Sequence, residues 1–575
     1  MSDLDKIILR ERYAHAGETS WSDTAKRVSR FVVQGEALDN QTKYMEAFAS
    51  IIEDFKFVPG GRILTNAGRP RGQLLNCFVI PLEDSRESIG QMLKEYMIIS
   101  GTGGGVGISF SKLRPKGAEI LTNGGNSSGS VSFMNCVDTV ANTIKTGGGR
   151  RAATMISLSA YHPDLEEFLS YKLDLKNLTN ANVSVEIDNN FIHAVKNNSS
   201  WDLVWGGKVV KTVDARKIWD KLVENAWKAG EPGILNMGLA RKMSNSYYYN
   251  DLLTTNPCGE QFLPAYGSCC LGSMNIAAYV KDNKFEWEEF KKDIYTAVRF
   301  LDNVLTVNEY PLDAIRQNSQ GERRIGLGLM GLHTGMLKIG LKYSDLSGME
   351  FIENVYEVLR NTSYLASIEL AKEKGSFPFF KREEFLNSGF VKTLPTKIRK
   401  LIREHGIRNV CVNTQAPTGT TAIIANVSSG IEPIFAPVYD RRFRSEESDS
   451  GFKVERVIDP LLKEFIEIGQ DFSNFEGAYD ISVDKHLKVQ EIAQRYVDSS
   501  ISKTINLPEN YPVEELSKQW LEYSEVLKGT TLYRSGSRGS EPLTPVESSM
   551  KNLTEASSIV GDIIDNSCAS GVCEI

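Results

Sequence analysis

Two hydrophobic periodicities alternate along this chain, and together they limit the folds that it can adopt. In residues 45–55 and 294–305, apolar side chains recur at the spacing of one helix face, and the segment FVPGGR ends the first pattern. In residues 182–187, the segment NVSVEI alternates apolar and polar side chains, as a half-buried strand does. Because helical and strand patterns mix along the chain instead of separating into halves, they predict an α/β fold.

Length and charge narrow the class of protein. A chain of 575 residues would hold about three or four average domains, although a large α/β barrel can exceed the average. The formal net charge of -7 leaves no broad basic surface, so we expect no nucleic-acid polymer as partner. The first residues lack the features of a signal peptide, and no apolar run reaches the roughly 18 residues of a membrane span. We therefore expect a cytoplasmic protein without membrane contact.

The segment TTNPCGEQF, residues 254–262, places an amide, a thiol and a carboxylate among proline and glycine. Proline removes a backbone donor and glycine weakens a helix, so we expect an extended chain here. In an extended chain, every second side chain lies on the same face, at a spacing of ~7 Å. This pattern predicts that Asn256, Cys258 and Glu260 project together.

Two glycine-rich segments invite a nucleotide-binding interpretation. GTGGGVGISF at residues 101–110 lacks the G-x-G-x-x-G spacing, and no P-loop motif follows it, so a turn with closely packed backbone is the better interpretation. TGGGRRAATM at residues 146–155 joins flexible glycines to Arg150 and Arg151. This second segment fits a ligand-sensing loop, and it fits exposed arginines on a turn equally well.

The segment NTQAPTGTTAII, residues 413–424, places Thr418, Thr420 and Thr421 directly before an apolar run. If that run begins a helix, the hydroxyls and the backbone N–H groups at its start could hold a phosphate. An ordinary helix cap or turn is the alternative.

Eight cysteines are too few for a disulfide scaffold in a chain of this length, so their positions must indicate their roles. Cys568 and Cys573 enclose four residues, unlike a C-x-x-C pair, and we predict no metal site. The polar segment before them reads as a flexible tail, in which ~28 residues have an r.m.s. reach of ~30 Å. The pair therefore fits a thiol shuttle, whereas Cys136 and Cys411 lie among apolar residues and are expected to pack in the core.

Several segments in a fixed order resemble the catalytic subunit of ribonucleotide reductases. They are NCFV (76–79), GISFSKLRPKGAEI (107–120), NPCGE (256–260) with another cysteine eleven residues after its own, APTGTT (416–421), SSGIEP (428–433) and the terminal cysteine pair. The resemblance extends from about residue 57 to the C-terminus. ERYAHAGET (11–19) and TTLYRSGSRGSEPL (530–543) look most like the adenosylcobalamin-dependent class, so the resemblance implies adenosylcobalamin as cofactor.

The resemblance implies a role for each residue of the catalytic set. Cys258 would carry a thiyl radical that removes the 3′ hydrogen of the ribose, Glu260 would accept the proton of the 3′-hydroxyl, and Asn256 would hydrogen-bond the sugar. Cys77 and Cys269 would supply two electrons and become a disulfide as the 2′-hydroxyl leaves as water. Cys270 follows Cys269 directly, which leaves the choice between them open, and the eleven-residue spacing favours Cys269.

The terminal thiols and the binding sites follow from the same resemblance. Cys568 and Cys573 would reduce the active-site disulfide by thiol exchange and would themselves be reduced by a thioredoxin- or glutaredoxin-type protein. The ribonucleotide substrate would lie against Asn76, Pro417, Thr418, Gly419, Thr420 and Thr421.

Allosteric control is a further implication. Deoxynucleoside triphosphate or ATP effectors would bind around Asp84, Arg114, Arg150 and Arg151, with residues 149–154 relaying effector identity to the base pocket. Asp84 also fits a helix N-cap with Glu87 three residues later, and both roles can hold together.

The resemblance implies a ten-stranded α/β barrel with NPCGE on a finger loop through its centre. A buried finger loop would keep a radical away from water. The expected parts are a helical N-terminal region without an ATP cone (1–56), the barrel (57–540) and a flexible tail with the redox cysteine pair (541–575).

Two rival functions stay open at the level of sequence. One is a reductase of the class whose radical comes from a separate metal-containing subunit, but TLYRSGS offers only Tyr533 where that class carries two adjacent tyrosines, and Tyr247–Tyr249 lie elsewhere. The other is a non-catalytic nucleotide-binding protein with structural thiols. The sequence does not choose between diphosphate and triphosphate substrates, nor between a monomer and a homodimer.

Overall fold

The computed structural model describes residues 3–121, 124–144, 153–174, 176–444, 452–537 and 543–545. The helices in this part of the chain are α1 (Asp3–Ile8), α2 (Trp21–Val32), α3 (Leu38–Glu53), α4 (Gly61–Asn66), α5 (Arg86–Gly101), α6 (Ser130–Thr143), α7 (Leu165–Ser170), α8 (Asn189–Lys196), α9 (Ala215–Ala229), α10 (Met237–Lys242), α11 (Trp287–Val307), α12 (Asp313–Glu322), α13 (Leu332–Lys338), α14 (Leu346–Lys374), α15 (Arg382–Leu386), α16 (Thr396–His405), α17 (Gly419–Ile424), α18 (Pro460–Ile468), α19 (Val483–Tyr496) and α20 (Val513–Tyr523).

The strands are interspersed with these helices along the chain. They are β1 (Phe57–Pro59), β2 (Cys77–Val79), β3 (Gly105–Ser109), β4 (Glu119–Ile120), β5 (Gly125–Asn126), β6 (Thr154–Ser159), β7 (Ala181–Ile187), β8 (Ser200–Trp205), β9 (Lys208–Asp214), β10 (Gly233–Asn236), β11 (Leu252–Thr255), β12 (Phe262–Pro264), β13 (Leu271–Asn275), β14 (Val280–Lys281), β15 (Lys284–Phe285), β16 (Gly326–Met330), β17 (Val438–Arg444), β18 (Phe452–Ile458), β19 (Thr504–Leu507), β20 (Gly529–Arg534) and β21 (Leu543–Pro545).

A seven-stranded sheet in the order β19-β20-β10-β7-β6-β3-β2 forms the larger part of the framework. The five strands from β2 to β10 run parallel, and so do β19 and β20, but β10 meets β20 antiparallel. The sheet therefore joins two parallel groups of opposite direction. Parallel strands need crossover connections, which the intervening helices supply.

A three-stranded sheet in the order β1-β13-β16 lies beside it. Two parallel backbone bridges, Leu327 with Asn413 and Gln415 with Ile501, continue from β16 towards the segment that leads into β19. An antiparallel bridge between Phe78 and Ser268 joins β2 to the segment that leads into β13. Both ends of the larger sheet are thus linked to the smaller one through backbone contacts.

The predicted periodic elements are confirmed with one boundary difference. The helical patterns correspond to α3 and α11, and NVSVEI lies within β7. Helix α3 ends at Glu53, and Phe55 lies outside it with a left-handed backbone (φ 53°). The α/β fold and the helical N-terminal region are therefore observed.

The N-terminal helices are fixed to the rest of the molecule by specific contacts. Ser20 and Asp23 form a capping box that begins α2. The indole of Trp21 donates a hydrogen bond to the carbonyl of Ile52 (2.7 Å) and stacks on Phe55 with ring centres 4.6 Å apart. Because α2 and α3 pack together in this way, the chain enters β1 in a fixed direction.

Part of the predicted tail belongs to a sheet. Strand β21 pairs antiparallel with β17, with Arg441 opposite Leu543. The remaining tail residues, including Cys568 and Cys573, lie outside the described part of the chain. Among the described residues, no helix combines the length and apolar character needed to cross a membrane.

Candidate active site

Strands β11 and β12 form a hairpin, which we call the finger hairpin, and residues 256–261 form its tip. The N–H of Gly259 donates to the carbonyl of Asn256 (3.0 Å), and the N–H of Asn256 donates to the carbonyl of Gln261 (3.1 Å). NPCGE therefore forms a turn, and the prediction of an extended chain there is wrong. Proline fixes one backbone angle and Gly259 supplies a positive φ of 79°, so the two residues favour a tight turn.

The finger hairpin crosses one face of the larger sheet at very short range. A Cβ atom at Gly107 would overlap the carbonyl oxygen of Thr255, and one at Gly105 would meet the ring of Pro257 at 2.8 Å. The amide of Asn182 on β7 donates to the carbonyl of Pro257 (3.0 Å). The segment GTGGGVGISF thus packs closely against backbone as predicted, but residues 105–109 form strand β3 instead of the predicted turn. This packing holds the hairpin tip.

The three polar groups of the tip differ in exposure. Cys258 is partly exposed, whereas Glu260 and Asn256 are buried. Asn256 accepts a hydrogen bond from the N–H of Gln261 (2.9 Å) through Oδ1. Asn256 Nδ2 and Glu260 Oε2 are buried without a hydrogen-bond partner among the described residues. They are therefore available to a bound polar molecule.

Burial changes the acidity of Glu260. Loss of solvent raises the pKa of this carboxyl to about 7, although the neighbouring Asn256 amide opposes the shift. A carboxyl with such a pKa can accept or donate a proton near neutral pH. Glu260 is therefore suited to general acid–base chemistry.

Cys77 and Cys269 lie opposite each other where β2 meets the segment before β13. The N–H of Cys269 donates to the carbonyl of Cys77 (2.9 Å), and both side chains are fully buried. Burial, and then the adjacent Cys77 thiol, hold the pKa of Cys269 well above its usual range. Directly opposite residues of an antiparallel pair have the Cα spacing that a disulfide requires, so these thiols are positioned to be oxidised together.

The other described cysteines lie elsewhere. Cys270 turns into the main core, where its thiol approaches the carbonyl of Leu301 (3.5 Å), so the pairing with Cys77 belongs to Cys269. Cys411 is buried beside Arg324, as its predicted packing role requires. Cys136 is exposed on α6, and the prediction that it packs in the core is wrong. An apolar sequence neighbourhood does not determine which face of a helix a residue occupies.

One cavity brings these groups together with the threonine segment. Cys77, Cys258 and Glu260 line it, and so do Asn76 and residues 417–421. Cys269, which lies opposite Cys77, and Asn256, which begins the hairpin tip, do not themselves line the cavity. Asn76 Oδ1 is buried without a hydrogen-bond partner among the described residues. Most residues predicted to bind substrate therefore meet at a single site.

The threonine segment begins a helix, as expected. Helix α17 begins at Gly419, and Thr418 precedes it with a left-handed backbone (φ 58°) and makes no side-chain cap. Instead, Thr418 Oγ1 accepts a hydrogen bond from the N–H of Gly430 (2.6 Å). The first N–H groups of α17 therefore remain at the cavity, where they can bind an anion.

The residues predicted to bind an effector are only partly described. Asp84 accepts hydrogen bonds from the backbone N–H (3.0 Å) and from Nε (2.8 Å) of Arg114. Helix α5 is capped by Ser85, which accepts from the N–H of Ser88, so the interpretation of Asp84 as N-cap is wrong. Arg150 and Arg151 lie outside the described residues.

Sequence reasoning missed several residues of the cavity. Glu432 lines it, together with Ser502 and Thr504, and the fully buried Lys503 pairs with Glu432 (2.6 Å). The motif SSGIEP contains Glu432, and a charged residue directly before a proline was the signal available. In the described part of the chain, no cluster of three or more His, Cys, Asp or Glu side chains could hold a metal ion.

Comparison with known proteins gives a consistent result. The family model described as "Ribonucleotide reductase, barrel domain" matches residues 75–533, and the one described as "Ribonucleotide reductase, all-alpha domain" matches residues 6–72.

Curated relatives match over most of the chain. A protein of Thermoplasma acidophilum named vitamin B12-dependent ribonucleoside-diphosphate reductase is 34% identical, over 92% of this chain and 72% of the relative. A protein of Mycobacterium tuberculosis with the same name is 32% identical, over 93% of this chain and 80% of the relative. A Streptomyces coelicolor protein named vitamin B12-dependent ribonucleotide reductase is 26% identical, over 89% of this chain and 61% of the relative.

Proposed function

This chain belongs to the ribonucleotide reductase family as a catalytic subunit, and from that premise we propose that it reduces ribonucleoside diphosphates to 2′-deoxyribonucleotides with adenosylcobalamin. The names of the relatives from Thermoplasma acidophilum and Mycobacterium tuberculosis support both the diphosphate substrate and the cofactor. The observation that carries the proposal is one cavity lined by Cys258, Glu260 and Cys77, with Cys269 directly opposite Cys77.

Binding comes first in the proposed reaction. The phosphates of the substrate lie at the N-terminus of α17, against Pro417 and residues 418–421, which all line the cavity. Asn76 and Asn256 each keep a buried polar atom without a partner among the described residues, and these atoms would bind the ribose. Sugar binding would thereby satisfy two groups that are otherwise unfavourably buried.

Hydrogen removal is the task of the finger hairpin. Cys258, as a thiyl radical, takes the 3′ hydrogen atom of the ribose, and Glu260 accepts the proton of the 3′-hydroxyl. After the reduction at C2′, Cys258 returns the hydrogen atom to C3′ and Glu260 returns the proton to the 3′ oxygen, so the thiyl radical and the carboxylate are regenerated. The pKa of about 7 supports this role, because a large fraction of Glu260 is ionised at neutral pH.

Cys77 and Cys269 supply the reducing equivalents. The bond between C2′ and its hydroxyl breaks, the hydroxyl leaves as water, and a hydrogen replaces it on C2′. The two thiols lose two electrons and two protons in total and become a disulfide, so the reaction is balanced. Their opposed positions support the formation of this disulfide without a large backbone movement.

Cys568 and Cys573 would then reduce that disulfide by exchange and would be regenerated by a thioredoxin- or glutaredoxin-type protein. Twenty-two residues separate the end of β21 from Cys568. The polar composition of these residues predicts a flexible linker, and a linker of that length would have an r.m.s. reach of roughly 26 Å, which supports access to a buried site.

The cofactor fits the chemistry of the thiols in the cavity. When bound, adenosylcobalamin supplies a carbon-centred radical that can take the hydrogen atom of a thiol. Cys258 is partly exposed, whereas Cys77 and Cys269 are fully buried, so Cys258 is the thiol within reach of a large cofactor. The cofactor would therefore be held at the cavity mouth beside Cys258.

Regulation and architecture complete the proposal. Effector nucleotides would bind around Asp84, Arg114, Arg150 and Arg151, and the cytoplasm is the proposed location. We propose the parts 1–56, 57–540 and 541–575, and the pairing of β1 with β13 joins the chain from residue 57 onward to the strands of the proposed barrel.

We further propose that ten strand segments close into a ring around the finger hairpin. Their order would be β2, β3, β6, β7, β10, β20, β19, residues 412–416, β16 and β13. The backbone bridges from Leu327 to Asn413, from Gln415 to Ile501 and from Phe78 to Ser268 support this closure.

Replacing Cys258 by alanine tests the central step. Cys258→Ala should form no deoxynucleotide in the presence of adenosylcobalamin and a dithiol, while its affinity for ribonucleoside diphosphate stays within about threefold of the wild type. Product is measured by chromatography and binding by calorimetry. Cys136→Ala, at an exposed position on α6, is the matched control and should retain activity. Appreciable turnover by purified Cys258→Ala would refute the assigned radical site.

A further inference from the structure

The cavity that we assign to the substrate contains an unexpected charge pattern. Among the described residues that line it, the charged side chains are two carboxylates, Glu260 and Glu432, and there is no Lys, Arg or His. The proposed ligand carries several negative charges on its phosphates. A site lined in this way would repel the ligand unless a cation nearby compensates.

Lys503 lies directly behind Glu432. Its ammonium group donates to Glu432 Oε2 (2.6 Å), to His486 Nδ1 (3.1 Å) and to the carbonyl of Thr504 (3.3 Å). The side chain of Lys503 is 0% exposed, whereas that of Glu432 is 22% exposed and faces the cavity. Among the described residues, Glu432 is the one carboxylate that pairs with this lysine.

His486 does not neutralise Lys503, so the charge of the ammonium group acts on Glu432. Its Nε2 faces the carbonyl of Ala478 (2.8 Å), which can only accept, so Nε2 carries the proton and Nδ1 accepts from Lys503. Burial, and then the charge of Lys503, lower the pKa of His486 to about 3. His486 is therefore neutral and fixes the position of the ammonium without adding charge.

Glu432 is held in one orientation next to the phosphate end. The N–H of Thr504 donates to its second oxygen, Oε1 (2.6 Å), so both oxygens are engaged by donors of one short segment. Two residues before Glu432, the N–H of Gly430 donates to Thr418 Oγ1 at the start of α17. The paired carboxylate and the proposed phosphate cradle are thus parts of the same wall.

We propose that Lys503 is a positioning residue that makes this wall compatible with a polyanion: it neutralises Glu432 and fixes its oxygens although it does not line the cavity. The inference rests on the proposed function, because it assigns the phosphates of the substrate to this end of the cavity. Without Lys503, Glu432 would present an uncompensated negative charge to them. If neutral residues replaced both Lys503 and Glu432, the wall would again accept a phosphate.

The experiment measures the affinities of the full chain for cytidine diphosphate and for cytidine by calorimetry. The affinity for cytidine diphosphate divided by the affinity for cytidine, which we call the ratio, gives the contribution of the phosphates. Lys503→Met should weaken binding of cytidine diphosphate by about tenfold or more, because an unscreened charge at close range acts strongly in a buried site. Binding of cytidine should change by less than about threefold, since cytidine carries no charge. In Glu432→Gln/Lys503→Met, the ratio should return to within about threefold of the wild type.

Lys528→Met is the matched control, because Lys528 is also a buried lysine but binds the carbonyls of Asp498 and Ser499 and does not line the cavity. Its ratio should stay at the wild-type value. Equal weakening of both ligands by Lys503→Met, or a double variant no better than the single one, would overturn the proposal.

If Lys503→Met does not fold, Glu432→Gln alone decides the question. In this variant the positive charge of Lys503 is no longer compensated, so the ratio measured for Glu432→Gln should exceed that of the wild type by about threefold. An unchanged or lower ratio would overturn the proposal. Absence of deoxynucleotide formation by the wild type would refute the proposed function, whereas the ratio alone decides this inference.

Discussion

At the scale of single residues, burial gives the carboxyl and the thiols of the cavity complementary tasks. Loss of solvent raises the pKa of Glu260 into the neutral range, where the carboxyl can exchange a proton. The same burial keeps Cys269 protonated, because its pKa is held well above the usual value. A protonated Cys269 holds a hydrogen that the reduction needs and avoids the premature reactions of a thiolate.

The adjacent thiols Cys269 and Cys270 allow a sharp test at this scale. Cys269→Ser should lose multiple turnover and the disulfide to Cys77, because serine cannot be oxidised to a disulfide. Cys270→Ser should retain turnover within about threefold and lose about 1–3 kcal/mol of stability, since its hydroxyl would be buried in the core. Peptide mapping after a single turnover identifies the disulfide. A disulfide between Cys77 and Cys270 in the wild type would contradict the assignment.

The raised pKa of Glu260 predicts how the rate of the reaction depends on pH. Its ionised form accepts the proton, so kcat/KM should rise with pH below about 7 and level off above it. Glu260→Gln should bind nucleotide but lose about 10²- to 10⁴-fold in rate, and the acid limb should disappear from what remains. The measurement is a pH profile with a dithiol reductant. A wild-type profile that is flat between about pH 6 and about pH 8 would argue against Glu260 as the base.

At the scale of elements, the finger hairpin depends on glycines in the strand beneath it. Strand β3 contains Gly105 and Gly107, and both lie under the hairpin where a side chain would collide with it. The polar face of β7 turns towards the same hairpin: Asn182 binds the carbonyl of Pro257, and Glu186 accepts from Ser157, whose hydroxyl contacts Thr254. The sheet therefore fixes the position of Cys258 through close packing and a few hydrogen bonds.

Gly107→Ala tests this packing. The added methyl group would overlap the Thr255 carbonyl, so we expect about 1–3 kcal/mol of destabilisation and about 100-fold lower kcat from a displaced hairpin. Gly90→Ala is the matched control: nothing lies within 4 Å of its added atom, and alanine favours helix α5. Denaturation and steady-state kinetics measure both effects. A Gly107→Ala protein with normal activity would show that the hairpin is not held by this contact.

The sequence predicted elements better than it predicted turns and faces. Periodicity identified α3, α11 and β7, because each repeats one pattern over several residues. It did not predict that NPCGE is a turn, since Pro257 and Gly259 are compatible with extended and turned backbone alike. It also did not predict that β7 is buried on both faces, because the partners of its polar side chains are distant in sequence. Glu432 escaped notice for the same reason: its partner Lys503 is 71 residues away.

At the scale of the whole molecule, the catalytic groups come from segments far apart in sequence. Cys77 follows the N-terminal helices, Cys258 lies on the finger hairpin, and α17 lies more than 150 residues later. Such a site exists only when both sheets are assembled, because the backbone pairing of Cys77 with Cys269 joins them. Formation of the site therefore depends on the assembly of both sheets.

The last prediction concerns the source of the radical. The purified chain should reduce ribonucleoside diphosphates when given adenosylcobalamin, a dithiol and an effector, with no second protein subunit. Cys258 lines the cavity and is partly exposed, so a radical formed next to this thiol needs no long relay. A radical from another subunit would need such a relay, and TLYRSGS offers only Tyr533, which lies in β20 opposite Asn506 of β19.

The matched experiment replaces adenosylcobalamin by hydroxocobalamin, which lacks the cleavable carbon–cobalt bond, and should give no deoxynucleotide. Activity that appears only with a metal-loaded partner subunit would show that the cofactor assignment is wrong while the chain remains a reductase.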